Sequence, residues 1–468
     1  MNSDQPNIIL IITDQQRYDT IRALGADWMH TPNLDRLVRE GVSFDQCHCT
    51  SAVCVPSRAS FFSMEYPHKV NSYGNGSPWH QCWVEDFQKA GYHTVNVGKM
   101  HTIPMDGSFG FDQRYVVENK DRPPRDHSPH GGYLDDWDRF LLFSGIEKPS
   151  RANYKANHPD WETGLGAFAW PLEEHLQPDM FVGQMAVQVI NRRTATNPLF
   201  LEIGFPGPHP PYDPPQRHLE LYDDVSIPIP VVTDEELAKQ PSHHALQREW
   251  CLEGNHDAVN WQLKPSDDQL LRLRRHYAAN VTSIDEQVGN IIAALDEKGM
   301  LENSVIVFMS DHGDCTGDHG HIQKWVMYDA VTRVPAIVWS PGRIPEGKRT
   351  DALIQHMDLA PMLFDLAGIE VPKHTGAESA LPNGDTEFAG RDAVFCELKG
   401  REDYLVMVRT QEWKLVSYLE NGNVGELYDL NRDPAELQNL WNDPKLSEIQ
   451  MTLLDRIRIW HTAQSIGD

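Results

Sequence analysis

The sequence predicts an α/β fold: a large, mostly parallel sheet flanked by helices, with a smaller C-terminal antiparallel-sheet subdomain. Three observations predict it. Near-continuous apolar runs, as in strands covered on both faces, alternate with segments of helical length. The chain has 468 residues, 40% of them hydrophobic with 13 Trp and 16 Phe, which suffices for one large body and a lesser one. From about residue 391 the apolar runs shorten and follow one another closely, as in a small antiparallel sheet.

In chain order, "NIILIIT" (7–13) is the first strand and "TPNLDRLVREG" (31–41) the first clear helix. "VNVGKMH" ends an extended segment at Lys99 and His101. A helix at 179–193 precedes the strand "PLFLEIGF" (198–205), and a long helix within 266–299 precedes "SVIVFMS" (304–310). "VPAIVWS" (334–340) adds a strand, and "MDLAPMLFDLAG" (357–368) is a helix stopped by Gly368. Two stretches rich in Pro, Gly, His, Trp and charge, near 113–175 and 206–265, interrupt the rhythm and read as functional loop insertions in a catalytic body spanning 1–390. The remaining 391–468 form the C-terminal α+β subdomain, with strands in "DAVFCEL", "YLVMVRT", "EWKLVSYLE" and "GELYDL" and a last helix at 446–464.

The formal charge of −27 argues against nucleic acid and against an anionic membrane surface, since both require a basic face. An anionic substrate must therefore be captured by a local basic cluster. The opening "MNSDQPNIILIITDQQR" has no basic leader region and only a short apolar run, so it reads as a buried strand, and a cytoplasmic location is expected. Seven scattered cysteines do not make a disulfide framework, and "CHC" at 47–49 lacks a second pair at zinc-finger spacing.

Asp14 follows the first strand, and Asp311 and His312 follow "SVIVFMS". Ligands collect at the carboxyl ends of strands in such sheets, so these groups are expected to share one crevice. The run "SDHGDCTGDHG" sets two Asp-His pairs among glycines, with much ligand capacity and little packing value. An oxygen-rich set suits Ca²⁺ or Mg²⁺, and the histidine leaves Mn²⁺ or Zn²⁺ open. Arg58 lies one helical turn after Cys54, His209 sits in "PGPHPPY" after a strand, and Lys324 follows the Asp-His run. Taken singly these are an ordinary surface Lys, a loop His or a solvated Arg. Together with Lys99 and His101 they supply the basic cluster that the net charge demands. Cys54 opens "CVPSRASFF" at a helix start, where backbone amides favour negative charge.

Over nearly its full length the sequence resembles the formylglycine-dependent sulfatases of the alkaline-phosphatase-like superfamily. The likeness runs through "NIILIITDQQR", "TPNLDRLVREGVSFDQCHCTSAVCVPSRAS", "VGKMH", "SDHGDCTGDHGHIQKWVMYD" and "GELYDLNRDPAELQNLWNDP". Cys54-Val55-Pro56-Ser57-Arg58 matches the family's C-x-P-S-R. The resemblance implies that a formylglycine-generating enzyme oxidises Cys54 to formylglycine (3-oxoalanine), whose hydrate attacks the sulfur of a small sugar, aryl or alkyl sulfate ester. It further implies a divalent metal, Ca²⁺ first and Mg²⁺ or Mn²⁺ next, held by Asp14, Gln15, Cys54, Asp311 and His312. Arg58 would support the hydrate, and Lys99 and Lys324 would clamp sulfate. His101 would help position the hydrate or assist its breakdown, His209 would protonate the leaving oxygen, and Asn75 would lie near the sulfate. Three departures stand out: Gln15 where relatives carry a second Asp, His312 where many carry Asn, and Ser63-Met64 in place of Thr-Gly. Phosphonate monoester or phosphodiester hydrolases share the Asp-Gln opening but lack the Lys and His at 99 and 101. A relative with unoxidised Cys54 and a thiol hydrolase using Cys54 with His101 or His209 are further alternatives. Trp137, Trp161, His158 and Trp170 are expected to wall the pocket.

Overall fold

A computed structural model describes residues 5–463 except 119, 122–133, 159, 162, 255, 374, 382–387, 389, 401 and 402. Parts of both predicted insertions therefore lie outside the described residues. The strands are β1 (Asn7–Asp14), β2 (Val42–His48), β3 (His93–Gly98), β4 (Gln113–Val116), β5 (Leu199–Pro208), β6 (Ser304–Ser310), β7 (Ala336–Trp339) and β8 (Lys348–Gln355). They form one sheet in the order β4-β3-β5-β1-β6-β7-β2-β8. A second sheet carries β9 (Val394–Lys399), β10 (Tyr404–Arg409), β11 (Trp413–Tyr418) and β12 (Gly425–Asp429) as an antiparallel meander in the order β12-β11-β10-β9. Among the described residues, no helix is long and apolar enough to cross a membrane.

In the large sheet only β7 opposes its neighbours, pairing antiparallel with both β6 and β2. The chain returns from β6 to β7 with nothing longer than the four-residue helix Asp329–Thr332. A parallel return needs a longer crossover, usually a full helix. The central strands are buried on both faces. In β1, Ile8, Leu10 and Ile12 join one core while Ile9 and Ile11 join the other. Helices Pro32–Glu40, Pro178–Arg192 and Asp267–Glu297 close the second core. The first holds the Cys54–Ser63 helix between the large sheet and the inner face of the small one. The outer face of the small sheet is covered by the helix Ser447–Ala463 through Leu453, Ile457 and Trp460.

The stretches expected to be irregular contain regular structure. The first contributes β4 to the large sheet and helices Asp136–Phe143 and Arg151–Asn157. The second contributes helices Asp234–Lys239 and Ser242–Gly254. Their aromatic residues also differ from expectation, because they pack rather than line a site. Trp137 and Trp170 belong to the second core, the Trp137 indole donating to the Leu176 carbonyl at 2.9 Å. Trp161 and His158 cluster with Phe168, and Trp161 also stacks with Tyr154. A stretch inserted on a packed body must bury its own apolar surface, and these rings do so.

One backbone contact positions the site. The Lys99 amide donates to the Gly204 carbonyl at 2.7 Å. A Cβ on Gly204 would lie 1.9 Å from the Lys99 carbonyl oxygen, and one on Gly98 (φ +99°) would lie 2.1 Å from the Gly204 oxygen. Only glycine admits this approach. Gly204→Ala is expected to lower the free energy of denaturant unfolding by about 1–3 kcal/mol or more. Gly422→Ala, with no atom within 4 Å, is expected to leave the unfolding midpoint in place.

Candidate functional site

Four parallel strands deliver the site from their carboxyl ends. Asp14 is the last residue of β1, Lys99 follows β3, His209 follows β5, and Asp311 and His312 follow β6. The Cys54–Ser63 helix points its first residue at them, entered through an extended Val53 (φ −147°). It ends on Met64 in the left-handed conformation (φ 57°). That conformation favours glycine, so Met64 holds it at a cost that a glycine here would avoid.

Asp14, Cys54, Asp311 and His312 are all buried, and each offers a ligand atom within 4.8 Å of the others. Cys54 Sγ lies 3.1 Å from His312 Nε2 and 3.6 Å from Asp14 Oδ1. The His312 Nδ1 faces the Gly313 carbonyl at 2.9 Å. An Nδ1–H donated there turns Nε2 toward the cluster, where a cation would take the place of its proton, the arrangement a metal-binding imidazole requires. Burial alone would lower the His312 pKa, but the negative charges of Asp311 and Cys54 outweigh it and raise it to about 9. This donor set favours a positive charge at its centre, and it fits a divalent cation.

Cations surround it. Arg58 Nε donates to Asp311 Oδ2 at 2.7 Å, and its Nη1 donates to the Lys99 carbonyl at 2.7 Å. Lys99 Nζ is 2.6 Å from Asp14 Oδ2. Lys324 Nζ is 3.0 Å from Cys54 Sγ and donates to Gln15 Oε1 at 2.8 Å. Burial opposes ionisation of Asp14, yet Lys99, His209, Lys324 and Arg58 hold its pKa well below the carboxylate norm. Gln15 stands beside the cluster: its amide N–H donates to Asp311 Oδ1 at 3.0 Å, and its Nε2 donates to Asp314 Oδ2 at 2.6 Å.

His101, His209 and Lys99 wall an adjoining cavity of about 480 Å³, with Asn75 at its edge. Asn75 Oδ1 accepts from the Val55 amide at 3.3 Å. Lys99 and His101 share this cavity through a turn rather than an extended segment, since β3 stops at Gly98 and His101 has φ 59°. Its amide N–H is held by both oxygens of Glu118, at 3.0 and 2.9 Å. The His209 Nδ1 faces the Pro210 carbonyl at 2.7 Å, while its Nε2 lies 3.6 Å from Asp257. Burial, then Lys324, lowers the His209 pKa well below the usual imidazole value. The imidazole at the Cys54 sulfur is His312, at 3.1 Å, a partner that the thiol-hydrolase alternative does not name.

Only the first Asp-His pair of "SDHGDCTGDHG" enters the cluster. Asp318 instead pairs with Arg17 at 2.6 Å, and His319 stacks on Tyr328 and faces Glu236 at 2.8 Å. Sequence reasoning missed Asp314, Glu118 and Asp257. Asp314 lay within the motif; nothing in the sequence marked Glu118 or Asp257, which lie in the insertions.

A family model described as Sulfatase matches residues 6–369, and one described as N-sulphoglucosamine sulphohydrolase, C-terminal, matches 317–463. A choline-sulfatase of Rhizobium meliloti is 30% identical over 470 residues, covering 97% of this chain and 86% of the relative. In fold, a phosphonate monoester hydrolase of Agrobacterium radiobacter superposes with a TM-score of 0.79 at 22% identity, covering 98% of this chain and 96% of the other. A protein solved with its substrate D-glucosamine-2-N,6-O-disulfate superposes with a TM-score of 0.76 at 22% identity, covering 99% of both chains. With the family model spanning the whole large sheet and every residue of the acidic cluster, the chain belongs to the sulfatase family.

Proposed function

We propose that this chain hydrolyses sulfate monoesters of a sugar or aryl alcohol, releasing inorganic sulfate, with Cys54 as the precursor of the nucleophile. The observation that carries the reading is the surroundings of Cys54. Two carboxylates and an imidazole gather on it, fit for a divalent cation, while Lys324 and Lys99 reach into the same buried space. Such a site binds a small tetrahedral anion and stabilises the charge it develops.

Calcium is the proposed ion, with Asp14, Asp311, His312 and residue 54 as its holders; bound there, it would polarise oxygens of the nucleophile and the ester. Oxidation of Cys54 to formylglycine would supply a hydrate oxygen as nucleophile. The chain's own groups do the rest. Arg58, locked between Asp311 and the Lys99 carbonyl, keeps the carboxylate and the lysine in register. Lys99 and Lys324 take the sulfate oxygens, and Asn75 borders them. His101, oriented through Glu118, assists at the nucleophile. His209 holds its Nδ1 toward the Pro210 carbonyl, so Nε2 is the atom that gives a proton to the leaving oxygen. A sulfate ester between Lys99 and Lys324 offsets the cations that add to burial in depressing His209, and so moves its basicity back toward the usual imidazole value. The phosphonate alternative has the structural neighbour in its favour, and Lys99 and His101 against it.

The test of the function is direct. Protein produced with a formylglycine-generating enzyme should show residue 54 lighter than cysteine by about 18 Da. It should also hydrolyse 4-nitrophenyl sulfate with a higher kcat/KM than an aryl phosphonate monoester. An unmodified thiol in active protein, or a preference for the phosphonate, overturns the reading.

His209→Ala should cost about 100-fold in kcat on alkyl or sugar sulfates, whose alkoxide leaves poorly. On 4-nitrophenyl sulfate the loss should be much smaller, because that leaving group needs no proton. Equal losses on both would remove His209 from the role.

Dialysis against a chelator should abolish turnover and lower the thermal midpoint. Calcium at about 100 times its Kd should restore about 2.7 kcal/mol of stability. Asp311→Asn should lose that calcium-dependent stabilisation.

A further inference from the structure

A second cavity, of about 460 Å³, meets the first at Asn75. Its floor is formed by neighbours of the reacting groups: Val53 precedes Cys54, and Trp325 follows Lys324. Its far wall is the insertion helix Ser242–Gly254, through Gln247, Glu249 and Trp250, with Lys399 and Asp403 from the small sheet. None of these wall residues has a task in the proposed chemistry. Trp250 and Trp325 meet edge to face, their centroids 4.7 Å apart at 85°. Trp325 is held there by a left-handed backbone (φ 75°), a conformation that costs a bulky residue energy. Two half-buried indoles beside the amides of Gln247 and Asn75 offer an apolar platform rimmed by hydroxyl partners.

Charge decides what kind of ring fits. Beyond the sulfate lysines, the described lining of both cavities carries Glu118, Asp121, Glu249 and Asp403 against Lys120 and Lys399. Lys120 is already 2.7 Å from Asp213, and Lys399 lies over the Tyr73 ring at 5.0 Å. A second sulfate group would enter acidic surroundings in a chain of net charge −27. A quaternary ammonium is also disfavoured, since it would meet the like charges of Lys399 over Tyr73 and Lys324 at 5.8 Å from the Trp325 ring, a repulsion that an uncharged ring does not feel.

Resting on the sulfatase reading above, we infer that the alcohol is a sugar ring bearing a single sulfate, seated in the corner between Trp250 and Trp325 with its hydroxyls toward Gln247 and Asn75. The second cavity is therefore what selects the alcohol.

Steady-state kinetics on monosulfated hexoses, D-glucosamine-2-N,6-O-disulfate, choline sulfate and ethyl sulfate test this. The protein should turn over at least one monosulfated hexose with a kcat/KM about tenfold or more above those for the disulfate and choline sulfate. Trp250→Ala should raise KM for that hexose about tenfold, a loss exceeding its loss on ethyl sulfate, and Trp250→Phe should recover most of it. Glu249→Lys, an exposed charge reversal, should narrow the gap between mono- and disulfated sugars, less so at high salt. Preference for choline sulfate or the disulfate, no turnover of any sugar while 4-nitrophenyl sulfate is hydrolysed, or an unchanged hexose KM in Trp250→Ala each overturns the inference. Failure on every sulfate ester by formylglycine-bearing protein instead strikes the sulfatase reading itself.

Discussion

The structure depends on a set of charges that are all out of water. Asp14, Asp311, His312, Arg58 and Lys324 each expose no more than 1% of their surface, and Lys99 only 4%. A buried ion without a partner costs several kcal/mol, so each of these groups is tolerable only while the others are in place. They arrive from β1, from the ends of β3 and β6, from the Cys54–Ser63 helix and from the loop after β6. The cluster therefore ties together parts of the chain that have no other reason to hold a common register. The glycine contact between the ends of β3 and β5 serves that register, because it sets the height of Lys99 against Asp14. Asp179 does similar work one strand along, accepting from the Gly207 amide at 2.7 Å just before the turn that carries His209.

The two sheets divide the labour. The large sheet places charge and cannot vary much without stranding an ion. The alcohol side is built from later material, the insertion helix and the small sheet, which are joined by a buried network of their own. His244 on the insertion helix lies 3.0 Å from Glu426 on β12, and Tyr418 and Tyr428 both donate to that carboxylate at 2.7 Å. Burial raises the Glu426 pKa, but His244 and the tyrosine hydroxyls outweigh it and hold the carboxyl at about 2. The far wall is thus as firmly built as the charged floor, while its surface side chains remain free to differ.

The sequence made the centre of the fold legible and left the edges obscure. β1 and β6 are apolar on both faces and read at once. β2 has half-buried Asp45 and Gln46 in its middle and does not read as a strand until β8 is paired beside it. The reversed direction of β7 depends on what lies between β6 and β7, which an apolar run does not report. Site residues at strand ends were legible because strand ends have a meaning in this architecture. Asp257 was not: it takes a left-handed conformation (φ 52°) in an insertion, and its closeness to His209 exists only in three dimensions. The aromatic residues of the first insertion misled for a related reason, since composition cannot separate a ring that lines a pocket from one that fills a core.

Gln15 is the departure that the geometry explains best. Its Nε2 donates to Asp314 Oδ2, the same oxygen that accepts from the Tyr212 hydroxyl at 2.7 Å, while its Oε1 accepts from Lys324. An amide can face a carboxylate and an ammonium at once because it has a donor end and an acceptor end. A carboxylate here would set a negative oxygen against Asp314 in place of the donor, and buried like charges in contact oppose each other's ionisation. The amide instead links Asp314 to Lys324 through two hydrogen bonds, which fixes the position of the ammonium beside Cys54.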